Sequence, residues 1–540
     1  MVKKLAWMIA GLSGYSLSVP VFALKTTSVG EAGIDALRLH YPPYNLIGRK
    51  IAIGQVEIGR PGQFGFDKAV GENHGLAIAG VFLRNSKAKS NKNLDPHAQN
   101  VASIMISQDK ALAGVAPGAR LYAAAVGSLK TGGQSQECLS AQQIALQNGG
   151  DVRAINFSFG ESLESDPRPN AKLDGNALLT QCIDWSARVH NVLYVVAGNQ
   201  GKGGIPIPTD NFNGVNVAYT NRLQGIFARV ETDNLAGATG RLGKQLNGRE
   251  TDLGSRRAIS LVAPGSNLKL LNLNGKVTPH STGSSFAAPH VTATVALLQE
   301  FGDWANRRTL LERRLGIGKT HWSLDSRRHE VMKAVLMNSA DKIKDNGDGL
   351  LLGMTRTIFD KNHSDWIGSD AYRNPKTPLH AQMGTGQLNA LRAYQQFSAG
   401  EWKPSATVPA MGWDYSTVSA ASSKDYVLAP PLQQGSFVAI TLAWDRLVEL
   451  NDNNKNGLFD LGKSFRDRGL NHLGLHLLRA NAKNSAASTC TSISDVDSVQ
   501  HIFCPVPTTG NYKIRVQFSQ QVNEATQPYA LAWWSVPARK

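Results

Sequence analysis

Between residues 50 and 340, short apolar runs alternate with stretches whose apolar residues recur every three or four positions. Runs rich in Val, Ile, Ala, Leu and aromatic residues occupy 50–58, 120–126, 153–159, 192–197, 215–219 and 258–263, and each predicts a strand. Helical spacing occupies 97–107, 139–147, 176–189 and 285–300, with a further helix at 328–339. Strands alternating with helices predict an α/β domain built on a doubly wound parallel sheet. In such sheets functional groups gather beyond the carboxyl ends of the strands. After about residue 400 the pattern changes. Apolar runs at 437–444, 473–478, 512–518 and 529–536 are separated by Gly, Asn, Ser and Pro clusters without helical periodicity. This predicts an all-β sandwich, so the expected organisation is an α/β domain over 49–399 and a β-sandwich over 400–540.

The first 23 residues stand outside this plan. Lys3 and Lys4 precede an apolar run at 5–17, and Val21-Phe22-Ala23 supplies apolar and small residues for a signal peptidase. A signal peptide followed by a short extension at 24–48 is expected, and with it a secreted or periplasmic location. The run is broken by Gly and Ser and no second hydrophobic stretch follows, so no membrane span is expected. Removing it lowers the formal net charge from +16 to +14. The basic residues are scattered and show neither RNA-binding nor zinc-finger spacing, which excludes nucleic acid as the expected partner. Such a charge favours solubility or adsorption onto anionic cell-surface polymers. Hydrophobic content of 42% and charge of 18% describe a globular chain. Four cysteines, Cys138, Cys182, Cys490 and Cys504, permit three pairings. An oxidising compartment lets disulfides persist, and pairing within each region, Cys138 with Cys182 and Cys490 with Cys504, is expected.

Candidate chemistry starts at Ser281–Leu298, where Ser284, Ser285 and Pro289 head an apolar helical pattern. Serine caps helices, so a nucleophile there requires partners elsewhere. Three look-alike motifs lack an essential residue. Gly318-Lys319-Thr320 has Arg313 where a phosphate loop needs glycine, and His329-Glu330 has Lys333 where a zinc site needs its second histidine. Gly283-Ser284-Ser285-Phe286-Ala287 lacks the last glycine of a nucleophile elbow. The partners are polar residues at a helix start and at strand ends: His97 opens a helix, Asn199 follows the run 192–197, and Glu57 ends the first strand.

This ordered set resembles the subtilisin-like serine peptidases over about residues 49–395. The serine motif is Gly283-Ser284-Ser285-Phe286-Ala287-Ala288-Pro289-His290-Val291, with Ser284 in place of the family's threonine. The histidine motif is His97-Ala98-Gln99-Asn100-Val101-Ala102, and Asn199 sits in the A-G-N turn. Gly114-Val115-Ala116-Pro117, Asn156-Phe157-Ser158-Phe159-Gly160 and Val262-Ala263-Pro264-Gly265 match supporting blocks. The resemblance implies an endopeptidase working through an acyl-enzyme. Ser285 would be nucleophile, His97 general base, Asn199 and the Ser285 N–H the oxyanion donors, and Ser158-Phe159-Gly160 the edge that pairs with a peptide substrate. No cofactor is required for that chemistry. Two departures are plain. Glu57 stands where the family has aspartate, and Ala98 and Gln99 replace the glycine and threonine that follow the histidine. Asp95 is the rival to Glu57, although its place two residues before His97 is that of a helix cap. Only 25 residues, 24–48, precede the resemblance, too few for a folded inhibitory prodomain. A subtilisin-like protein that binds peptides or surfaces without cleaving them is the competing class.

One motif lies in the C-terminal region. Asp452, Asn454, Asn456 and Gly457 match the first half of a calcium loop and Asp460 its ninth position, while Lys463 stands at the twelfth, where glutamate is expected. A Ca2+ site or a solvated Asn-rich turn both account for these letters.

Overall fold

The computed structural model describes residues 27–72, 75–127, 133–198, 206–231, 256–315, 322–404 and 407–539. The expected signal peptide at 1–23 and Asn199 lie outside the described residues.

The α/β region is a sheet of β1 (Ala52–Glu57), β2 (Ile78–Leu83), β3 (Ser86–Lys87), β4 (Arg120–Ala125), β5 (Val152–Phe157), β6 (Leu193–Ala197), β7 (Val215–Leu223), β8 (Ile226–Val230) and β9 (Leu261–Pro264). The order is β3-β2-β4-β1-β5-β6-β7-β8, with β9 also paired to β7. The pairings β1–β4, β1–β5, β5–β6, β6–β7 and β7–β9 are parallel. The short β3 and the β8 hairpin add antiparallel edges. β1 and β5 are buried along their whole length, as strands covered on both faces must be. β2 (Ile-Ala-Gly-Val-Phe-Leu) and β8 (Ile-Phe-Ala-Arg-Val) are largely apolar runs that are not among the predicted strands.

Helices α1 (Pro96–Ile106), α2 (Gly133–Ala145), α3 (Leu178–His190), α4 (Ala288–Arg314) and α5 (His329–Asn338) flank this sheet, and α6 (Ala390–Ser398) packs on α4 and α5. Residues 29–46 are not a loose extension, for Val29, Ile34, Leu37, Leu39 and Leu46 are buried in the same core as Val291, Val295 and Leu298 of α4. The Cys138–Cys182 disulfide joins α2 to α3.

The C-terminal region is a two-sheet β structure. After β9 come β10 (Leu268–Leu271) and β11 (Val277–Ser281), an antiparallel pair, and the C-terminal strands are β12 (Thr407–Val408), β13 (Met411–Ser419), β14 (Ser423–Leu428), β15 (Phe437–Ala443), β16 (Val448–Leu450), β17 (Phe465–Asp467), β18 (His472–Arg479), β19 (Ser488–Ser492), β20 (Val499–Pro505), β21 (Tyr512–Gln520) and β22 (Thr526–Trp534). One sheet has the order β12-β14-β21-β18-β19 and the other β13-β22-β15-β20, while β16 and β17 form a separate hairpin. Ile440, Leu475, Ile514 and Trp533 share its core, and Cys490–Cys504 links β19 to β20, bridging the two sheets.

The two regions share a dense interface. α5 packs on β13, β15 and β22. Trp413 stacks on Phe397 of α6 at 5.5 Å and its indole N–H donates to the Phe397 carbonyl. Arg446 is buried and binds Asp184 at 2.7 Å and the Gly175 carbonyl at 2.7 Å. Phe459 and Phe465 of the β16–β17 hairpin pack around Cys138, Cys182 and Trp185.

Candidate active site

Glu57 is the last residue of β1, and its carboxylate is 2% exposed. Beyond it the chain turns at Gly59 and runs beside 93–95, with Arg60 N–H donating to the Asn93 carbonyl at 2.7 Å and Asp95 N–H to the Arg60 carbonyl at 3.0 Å. A Cβ at Gly59 would come within 2.3 Å of Asp95 Cβ, so glycine permits this close approach. That contact sets the start of α1 against the end of β1. Asp95 caps α1 by accepting from the His97 backbone N–H at 2.8 Å, with Pro96 at the first helical position. The His97 side chain then lies beside Glu57, with Nδ1 3.4 Å from Glu57 Oε2. Gln55 ties β1 to α1 through a 2.9 Å bond to the Ala98 carbonyl.

The electrostatics follow from the burial. Loss of hydration raises the Glu57 pKa above the ordinary carboxylate value, and the facing His97 draws it only partly back. Burial by itself would lower His97, but the Glu57 charge and hydrogen bond, with Asp95 behind them, outweigh it and raise the imidazole pKa above its usual value.

Ser285 sits not inside α4 but in a 3₁₀ turn, Ser284–Phe286, one residue before that helix. The turn is entered through Gly283 at φ 153°, a conformation that disfavours a side chain. Gly283 N–H is anchored on the Gly265 carbonyl at 2.8 Å, just beyond β9. Ser285 Oγ donates to the Ser158 carbonyl at 3.1 Å. Ser158 returns a bond from its own Oγ to the Ser285 carbonyl at 2.8 Å, and Asn156 donates to Ser158 Oγ at 2.8 Å. The Phe286 ring lies 5.4 Å from the His97 ring, so the serine turn and the histidine are neighbours.

The structure thus gathers Glu57, His97, Ser285 and Ser158 beyond the carboxyl ends of β1, β5 and β9. Ser158, Phe159 and Gly160 are themselves buried, and Phe159 stacks on Phe157 at 5.3 Å. His290 is buried, with its pKa pushed down to about 4 by burial, so it stays neutral: Nδ1 donates to the Phe286 carbonyl (2.8 Å) and Nε2 accepts from Ser28 Oγ (2.8 Å). The reciprocal Ser158–Ser285 bonds and the Asn156 support were not legible in the sequence, because they join residues 127 positions apart.

In the C-terminal loop, the oxygens of Asp452, Asn454 and Asn456, the Leu458 carbonyl and Asp460 do converge, and the Lys463 ammonium stands where they meet. Its Nζ lies 2.6, 2.6, 2.7 and 2.7 Å from the first four and 3.1 Å from Asp460 Oδ2. The donor set is therefore already serving a monovalent cation, and a calcium ion would have to displace the lysine.

The family profile described as Peptidase_S8, the Subtilase family, matches residues 68–355, just over half of the chain. The chain belongs to the subtilase family. His97 and Ser285 lie inside the matched stretch, and Glu57 precedes it. Among solved structures it is similar to a cold adapted subtilisin-like serine proteinase, with 18% identity, 47% of this chain and 78% of the other covered, and a TM-score of 0.33. It is also similar to the prenylagaramide maturation protease PagA, with 18% identity, 65% and 94% covered, and a TM-score of 0.38. MycP1 with its N-terminal propeptide removed gives 16% identity, 67% and 96% covered, and a TM-score of 0.38. No curated protein matches the chain.

Proposed function

We propose that this chain is an exported serine endopeptidase that hydrolyses peptide bonds with Ser285 as nucleophile, His97 as general base and Glu57 as the group that orients and charges the histidine. The observation that supports this reading is the Glu57–His97 pair at 3.4 Å, set beside the serine turn. Glu57 faces Nδ1, which leaves Nε2 to take the proton from Ser285 Oγ as that oxygen attacks the scissile carbonyl. Ser285 Oγ bonds the Ser158 carbonyl at rest, so rotation about χ1 must turn it toward Nε2 when substrate binds. The protonated imidazole, stabilised by Glu57, then delivers the proton to the leaving amine, and water repeats the sequence on the acyl-enzyme. The Asn199 amide and the Ser285 N–H are the proposed oxyanion donors, and the strand end at 158–160 the element that receives the substrate backbone. No cofactor enters these steps, and the loop at 452–463 is proposed to be closed by lysine without calcium.

A fluorophosphonate probe tests the assignment directly. It should label the mature protein and not Ser285→Ala; equal labelling of both, or labelling lost only with Ser284→Ala, would overturn it. Asn199→Ala should lower kcat by roughly 10²–10³ with KM little changed, because that donor acts on the transition state.

A further inference from the structure

The carboxyl-terminal half of α4 leaves the protein body with an apolar face uncovered. One side of this half is buried: Ala305 and Thr309 are covered, Asn306 donates to Ser326 Oγ at 2.8 Å, and Gly302 lies against Phe397. The opposite side carries Trp304, Leu311 and Leu315, which are 47%, 57% and 61% exposed, with Leu310 at 57% beside them. Trp304, Leu311 and Leu315 are spaced i, i+7 and i+11, so they form one stripe along the helix axis. Arg307 and Arg314 flank that stripe on one side and Arg308 on the other, all three exposed. From 303 to 315 the sequence has four arginines and two acids. At the base of the stripe a hollow of about 480 Å³ is lined by Arg49, Lys50, Arg307 and Trp304 together with the acidic Glu300 and Asp303, Glu300 holding Arg49 at 2.8 Å.

We infer that this face is a docking surface for an anionic lipid bilayer, on which α4 lies in the plane of the interface. The pattern is that of an interfacial helix: an apolar stripe with a tryptophan, bordered by cations whose long stems let the charge reach phosphates while the leucines enter the acyl boundary. Arg308 is already paired with Glu312 at 2.7 Å, but a second protein would cover the leucines without a reason for Arg307 and Arg314 beside them, whereas a phosphate surface gives both a partner. The hollow adds Lys50 to the cationic border, while its Arg49 is already held by Glu300. Among the described residues no helix is long and apolar enough to cross a membrane, so the contact is peripheral. The face is built from residues outside the candidate active site.

The test is flotation of the mature chain with vesicles of about 30% phosphatidylglycerol in phosphatidylcholine, against pure phosphatidylcholine. The protein should float with the anionic vesicles and not with the neutral ones. Trp304→Gln/Leu311→Gln/Leu315→Gln should cut the partition at least about tenfold, and Arg307→Gln/Arg314→Gln by roughly tenfold or more. Both variants change exposed positions only, and an unchanged melting temperature shows that they fold. Wild type that fails to float with anionic vesicles would overturn the inference. So would a triple apolar variant that floats undiminished, because adsorption would then be purely ionic, as to any anionic polymer. Sedimentation velocity supplies the remaining outcome: a wild-type dimer that the apolar variant abolishes, without vesicle binding, would assign the stripe to a second copy.

Discussion

Glutamate at residue 57 is one methylene longer than the aspartate its position resembles, and the pair still meets His97 at 3.4 Å. Glu57→Gln keeps length and shape but offers His97 an amide that favours the wrong tautomer. A fall in kcat on the order of 10⁴ is expected, by analogy with the protease Asp→Asn change. Glu57→Asp should lose less, and Asp95→Asn should keep most of its rate because Asp95 acts on a backbone N–H. The pH profile separates these roles further. As the proposed general base His97 must be neutral, and Glu57 raises the imidazole pKa, so the acid limb of the wild-type profile should lie above about pH 6.5. Glu57→Gln removes the charge that raises it, and the limb should move to lower pH while the plateau falls. A crippled Asp95→Asn beside a nearly intact Glu57→Gln would show the triad to be misassigned.

At the scale of an element, the β16–β17 hairpin and its loop show how a divalent-ion pattern can be run on a side chain. Asp452, Asn454, Asn456 and Asp460 bring two formal negative charges, and the Lys463 ammonium returns one positive charge at the centre of the oxygens. The closed loop presents Phe459, whose backbone N–H and carbonyl both bond the Gln142 side chain on α2. A chelator should therefore leave the melting temperature of the wild type unchanged. Lys463→Glu places a carboxylate at the twelfth position and removes the internal cation. That variant should melt lower than wild type in a chelator and recover on adding millimolar Ca2+; a Ca2+-stabilised wild type would show that the metal displaces the lysine. The helices obey a similar economy. Cys138–Cys182 holds α2 to α3 beneath the same hairpin, and each of the two disulfides should contribute about 2–4 kcal/mol, read as the loss of stability in Cys→Ala pairs.

Across the whole molecule, the β-sandwich is packed against the α/β region as a continuation of its core. Ala443, Val499, Ala530 and Ala532 of the sandwich belong to the cluster that contains α4 and α5. Charged groups are fastened into the same surface, since Arg446 reaches Asp184 while stacking on Phe212 at 4.4 Å from the ring centroid. Removing one partner leaves a buried charge uncompensated, so Arg446→Ala should cost about 3–5 kcal/mol. The wild type should unfold in one transition by both calorimetry and intrinsic fluorescence. Arg446→Ala should lower that transition or split it in two, and an unaltered melt would mean that the pair is not part of what couples the two regions.

The strand and helix series of the α/β region, the change to β structure near residue 400, and the places of Glu57 at a strand end, His97 at a helix start and Ser285 ahead of a helix could be read in the sequence, because each depends on local periodicity or on a short motif. β2 (Ile-Ala-Gly-Val-Phe-Leu) and β8 (Ile-Phe-Ala-Arg-Val) are apolar enough to be legible as strands although neither is among the predicted ones, whereas the polar two-residue β3 was not legible, since only pairing with β2 makes it a strand. The pattern at 285–300 located the start of a helix but not its end at Arg314, because the exposed leucines of its last turns carry no core-facing signal of their own. Tertiary structure alone decided that residues 29–46 join the core, that Ser158 holds Ser285, that Lys463 fills its loop and that Arg446 meets Asp184. Each of these joins residues distant in the chain or depends on what remains uncovered after folding. Sequence periodicity records which way a side chain faces within its own element. Only the packed chain determines which partner, if any, that face meets.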